Sequence, residues 1–118
     1  MTLLTFTAAF AKYESYHVSL PSFKRDILCR SATKTTGDDY VLNKVTKVGG
    51  QFDAADFWVM KLNGPSRISQ NYACYEGQGA YTIWFNSNQN ANTSIGLYAQ
   101  NHDLTYQFVN LEGSADLR

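Results

Sequence analysis

The chain is poor in residues that cross-link or punctuate a fold, and equally poor in residues that do chemistry. It has two cysteines, two prolines and two histidines. Neither a CxxC spacing nor a Cys/His cluster is present, which excludes an ordinary zinc site. An excess of one charge is missing as well, because 10 basic and 10 acidic residues are scattered along the chain and cancel. Without a stripe able to neutralise several phosphates at once, nucleic acid is not an expected partner. Lys24-Arg25 is too short to hold a chain electrostatically on an anionic membrane. No apolar run approaches the roughly 18 residues of a membrane span. The opening segment MTLLTFTAAFA lacks a basic n-region and is broken by Thr2, Thr5 and Thr7, so it reads as a strand and not as a signal peptide. The expectation is a soluble protein, secreted or cytoplasmic, with no membrane insertion.

What is present is period-two alternation. Leu4, Phe6, Ala8 and Phe10 share one face of a first strand, and Tyr16, Val18 and Leu20 share one face of a second, with His17 on the solvent side. Ile27-Leu28-Cys29 suggests a third. YVLNKVTKV over 40–48 is strand-like, with Val41 and Val45 on one face. FDAADF over 52–57 suggests one helical turn capped by Asp53, leading into Phe57-Trp58-Val59-Met60 as a run buried on both faces. Asn63-Gly64-Pro65-Ser66 is the clearest turn, since Gly supplies a positive φ and Pro fixes its own. After it Ile68, Gln70, Tyr72 and Cys74 share a face. No window sustains apolar residues at helical spacing over more than about two turns. Eight or nine short strands at roughly ten-residue spacing predict an all-β chain, a small antiparallel β-sandwich or barrel forming one domain over 1–118.

The segment Gly79–Asn110 carries the functional expectation. Its pattern reads as a three-stranded meander with Tyr81, Ile83 and Phe85, then Ile95, Leu97 and Ala99, then Leu104, Tyr106 and Phe108 facing the core. Pairing Phe85 with Ile95 and Leu97 with Tyr106 sets Trp84 across from Gly96 and Gly96 across from Gln107, with Tyr98 in the next row. Gly96 would leave a hollow between an indole and an amide. Beside it lies a loop carrying Asn86, Asn88, Asn90 and Asn92. A sugar ring suits such a face, because its C–H side stacks on an aromatic while its hydroxyls need neutral amide partners. The expected carbohydrate-binding set is therefore Trp84, Asn86, Asn88, Asn90, Asn92, Gly96, Tyr98 and Gln107. The plain alternative is that Asn crowds hairpin loops because it tolerates left-handed backbone.

Catalytic constellations are thin. Gly77-Gln78-Gly79 enters a strand with no Lys-Ser/Thr after it, so it is no phosphate loop. Asp38-Asp39 and Asp53 with Asp56 are paired carboxylates that nothing in the sequence brings across a cleft. His102-Asp103 neighbours in a turn seldom face each other, and lie at the far end of the middle strand from the Asn loop. Cys29 and Cys74 allow one bridge, worth about 3 to 4 kcal/mol through loop closure, or two buried thiols. Tyr72–Gly79 lacks the aromatic-to-glycine spacing of βγ-crystallin hairpins, and Gly37–Tyr40 stands without the Gly-x-Trp of lipocalins, so no family is assigned.

The expectation is a non-enzymatic, lectin-like module without cofactor or metal that binds a glycan or glycoprotein. As a single-site lectin it would gain avidity as a homodimer. A protein-interaction module (effector, inhibitor or toxin subunit) and a barrel around a small apolar ligand are the alternatives.

Overall fold

A computed structural model describes residues 12–118, so the strand expected over Leu4–Phe10 lies outside the described residues. Nine strands follow in order: β1 Glu14–Leu20, β2 Ile27–Thr33, β3 Tyr40–Val48, β4 Ala54–Lys61, β5 Ser66–Arg67, β6 Tyr72–Tyr75, β7 Ala80–Trp84, β8 Ser94–Asn101 and β9 Val109–Asp116. All pairings are antiparallel. One sheet runs β1-β9-β3-β7, the other β2-β8-β4-β5, with β6 also on β4. The two sheets pack face to face as a β-sandwich, the expected class.

Alternation explains the core. Tyr16, Leu20, Val41, Val45, Ile83, Leu111 and Ala115 from the first sheet meet Ala55, Phe57, Val59, Ile95, Leu97 and Ala99 from the second in one buried cluster. Each large apolar side chain removed from water contributes roughly 1.5 to 3 kcal/mol. Polar groups inside are few. The Tyr16 hydroxyl donates to Asn43 Oδ1 at 2.7 Å, both side chains lying in the core.

Two expectations fail. Residues 52–57 make no helical turn, since Ala54–Lys61 is a strand paired on both sides, with β8 along one edge and β5 and β6 along the other. The small and acidic residues that suggested a cap are tolerated because the ladder on each side satisfies the backbone. The meander also fails. β7 pairs with β3, and β8 lies between β2 and β4 in the other sheet. The third segment is a bent connector followed by β9, which lies between β1 and β3. The connectors Phe85–Thr93 and His102–Phe108 are longer than the roughly two to five residues of an ordinary hairpin, and each crosses from one sheet to the other.

The cysteine question resolves through strand order. Cys29 lies on β2 and Cys74 on β6, three strands apart across β8 and β4, which is roughly 14 Å at sheet spacing and beyond the ~7 Å reach of a disulfide. Both are free thiols, and burial pushes each up to about 12. Native protein should therefore react with a thiol-specific chromogenic reagent far more slowly than protein in denaturant, by at least about 100-fold, given the loss of thiolate alone. Cys74 is fully buried and Cys29 partly so, and rapid native labelling of both would contradict that placement.

Candidate functional site

Among the described residues β7 is an outer strand of the first sheet, and its last residue, Trp84, opposes Tyr40, the first of β3. Ile83 faces the core, so Trp84 faces out and stays 56 % exposed. The two rings form a corner, with centroids 5.1 Å apart and planes tilted by 58°. The backbone beside it is pinned on several sides. Trp84 N donates to the Tyr72 hydroxyl at 3.3 Å, Phe85 N to Asp39 O at 2.8 Å, and Asn86 N to Ile68 O at 2.7 Å. With the Asn88 amide assigned so that its nitrogen and not its oxygen faces the Asp39 carboxylate, the orientation that hydrogen bonding requires, it donates there at 2.7 Å and 3.2 Å. An exposed indole, a tilted phenol ring, a carboxylate and an amide thus share one corner, with the exposed Asn86 between them in sequence.

A buried lysine fixes the floor of this corner. Lys34 is fully buried, and its ammonium donates to Asp38 O at 2.7 Å and Arg118 O at 2.9 Å while lying 5.2 Å from the centre of the Phe85 ring. Burial lowers its pKa from the ordinary value, and the nearby Asp38, Asp39 and Asp116 oppose that shift. Its backbone holds the Asn loop too. Lys34 N donates to Thr93 O at 2.9 Å and Asn92 N to Lys34 O at 2.7 Å. Asn92 takes φ 74°, the left-handed region that Asn enters more easily than most residues, and Asn90 O accepts from Thr93 N at 3.3 Å. Asn90 and Asn92 therefore shape the loop through their backbones.

Of the expected set, Trp84, Asn86 and Asn88 sit together at this corner, while Gly96, Tyr98 and Gln107 lie elsewhere. Gly96 opposes Ser31 and Met60 on the other sheet, and a Cβ there would meet Leu28 Cδ1 at 2.8 Å and Leu62 and Tyr98 atoms at 3.2 Å. The hollow predicted at Gly96 is filled by its neighbours. Tyr98 stacks on Trp58, with centroids 6.2 Å apart and planes within 14°. Arg67 lies 4.5 Å over the same indole, which is left only 6 % exposed. Gln107 belongs to the His102–Phe108 connector at the opposite end of β8 from the Asn loop. Leu104, Tyr106 and Phe108, expected in the core, are exposed.

Sequence reasoning missed Asp39 and Tyr40 as partners of Trp84, weighing the first only with Asp38 as paired carboxylates and the second only as the start of a strand. The signal that could have found them is the pairing of Tyr40 with Trp84, which needs β3 and β7 as neighbours. It also missed the partner of His102. Nδ1 lies 2.6 Å from Asp56 Oδ1, and the ring meets Tyr75 edge-on at 6.0 Å. Among the described residues no group of three or more His, Cys, Asp or Glu side chains is placed to hold a metal. Comparison with protein-family models, with curated proteins and with solved structures returns no match.

Proposed function

We propose that the protein is a non-enzymatic carbohydrate-binding module whose site is the Trp84–Tyr40 corner, with Asp39, Asn86 and Asn88 as polar partners. The observation that carries this reading is the half-exposed indole held against a tilted tyrosine beside a carboxylate–amide pair. An indole left in water is a surface awaiting an apolar cover, and the C–H face of a pyranose offers one of matching size. The carboxylate has about four acceptor positions, of which the Asn88 amide uses a part, so sugar hydroxyls can donate to the remainder. Because Asp39 also accepts from Phe85 N through its carbonyl oxygen, the polar group and the indole are locked in one geometry. That preorganisation keeps the ordering cost of binding low.

A glycan array followed by titration of the strongest saccharide tests this. Trp84→Ala should weaken binding by at least about tenfold, a loss of roughly 1.4 kcal/mol, and Asp39→Asn by a smaller factor. Tyr98→Ala and Gln107→Ala should leave affinity unchanged, because neither side chain reaches the corner. An array with no response, or equal affinity in Trp84→Ala, would sink the proposal. Silence on the array together with Trp84-dependent capture of a purified protein would favour a protein partner on the same corner.

A further inference from the structure

The end of the sandwich away from Trp84 carries a different surface. The connector between β1 and β2 and the connector between β8 and β9 lie side by side there. Phe23 N donates to Thr105 O, and the buried Asn101 side chain donates to Pro21 O at 2.8 Å and Phe23 O at 3.0 Å. Tied in this way, Phe23, Leu104, Tyr106 and Phe108 each keep between 54 and 76 % of their surface in solvent. They are four of the seven large apolar side chains exposed among the described residues. Phe23 takes φ 61°, a conformation uncommon for a bulky residue, and hydrogen bonds at both its N–H and its carbonyl hold it there.

The size and charge of this tip narrow what covers it. At about 200 Å² per large side chain the four expose on the order of 500 Å². A stable dimer needs about 800 Å² from each copy, so a second chain is poorly served by this surface alone. Charge selects nothing either, since Lys24 and Arg25 in the first connector are offset by Asp26 in the same connector and Asp103 in the other, and the Arg25 guanidinium is bonded to Ser22 Oγ at 2.9 Å. A bilayer interface takes up projecting Leu, Phe and Tyr side chains without shape complementarity, with the tyrosine hydroxyl left at the headgroup level.

We propose that the tip formed by Phe23, Leu104, Tyr106 and Phe108 docks the protein on a lipid bilayer by shallow apolar insertion. The net charge of zero supplies no general pull toward an anionic bilayer, and this route does not need one; shallow insertion of side chains departs from the expectation of no membrane insertion, which weighed spanning length and clustered charge alone. Docking at this end leaves the Trp84 corner facing away from the membrane.

Co-sedimentation with vesicles of pure phosphatidylcholine, and of phosphatidylcholine mixed with phosphatidylserine, tests the proposal. Binding is expected to both, nearly unchanged by high salt, and weakened roughly tenfold by Phe108→Ser and further by adding Leu104→Ser. Both positions are exposed, so the variants should melt with the parent, and any saccharide response should persist. The proposal is overturned by binding to neither vesicle, or by binding to phosphatidylserine alone that salt abolishes. It is equally overturned if the substitutions dissolve a dimer in sedimentation analysis without changing vesicle binding. Loss of sugar binding in Trp84→Ala with vesicle binding intact separates this inference from the glycan site.

Discussion

Gly113→Ala is expected to cost the fold several kcal/mol. Gly113 lies on β9, in the middle of the first sheet, opposite Tyr16 on β1 and Val45 on β3. A Cβ at this position would lie 2.3 Å from the Lys44 carbonyl oxygen and 2.5 Å from the Tyr16 hydroxyl. The carbonyl belongs to a strand paired on both sides and cannot rotate away. The phenol is hardly freer, because its hydroxyl donates to Asn43 and its ring packs 6.2 Å from that of Phe57. Overpacking a core typically costs about 1 to 3 kcal/mol, and a collision with backbone lies at the upper end or beyond. Against a total stability of roughly 5 to 15 kcal/mol that is a large fraction. Urea unfolding should show a lower midpoint at an unchanged slope. In a Tyr16→Phe background the further cost of Gly113→Ala should shrink only in part, since the hydroxyl is gone while the ring carbon that carried it, 2.7 Å from the added Cβ, and the Lys44 carbonyl remain. A variant within about 0.5 kcal/mol of the parent would mean that Tyr16 does not lie over β9 in this way.

The second large effect is alkaline unfolding. Burial holds the Cys29 and Cys74 thiols at about 12 against an ordinary value of 9.0. Tyr16 is raised as well, first by burial and then by the two neighbouring cysteines, with the Asn43 hydrogen bond opposing. Below about pH 9 both folded and unfolded thiols keep their protons and nothing is gained or lost. Above it the unfolded chain ionises first, the folded state binds more protons, and stability falls with rising pH. The slope reaches about 1.4 kcal/mol per pH unit for each thiol, so near pH 11 the pair removes on the order of 5 kcal/mol. Lys34 acts in the opposite sense. Its lowered pKa means the folded state sheds that proton first, so between that value and 10.5 it adds stability as pH rises. One lysine offsets only part of two thiols and a phenol. Urea midpoints measured from about pH 8 to 11 should therefore decline steadily, and a Cys74→Ala variant should decline less steeply. A flat profile would contradict the burial of these groups.

How much of this was legible in the sequence depends on the kind of information sought. Alternation assigns a residue to a face, and it did so well. Ile83, Ile95, Leu97 and Ala99 are buried, Trp84 and His17 point outward, and Tyr40–Val48 is a strand with the bounds its pattern suggested. Alternation does not name the neighbouring strand. Trp84 was set opposite Gly96 because the two are close in sequence, yet its partner is Tyr40, 44 residues earlier in the chain. The same limit hid the His102–Asp56 contact and the distance between the two cysteines. Leu104, Tyr106 and Phe108 show a second limit, because a period-two apolar pattern is identical whether its face meets a core or water. Only the crossing of the His102–Phe108 connector from one sheet to the other tells which holds here. What lay within reach was the pairing of Trp84 with the loop that follows it. Asn86 and Asn88 stay beside the indole because the loop begins one residue after it.

The central claim, that the Trp84–Tyr40 corner takes a sugar, is tested most directly by nuclear magnetic resonance. The chain has two tryptophans, so the two indole N–H resonances report separately on Trp84 and Trp58. On titration with a saccharide selected on the array, the Trp84 indole and the Asn88 side-chain amide should shift together while the Trp58 indole stays in place. Shifts confined to Trp58 and Tyr98, or no shift in either indole with any saccharide, would contradict the account.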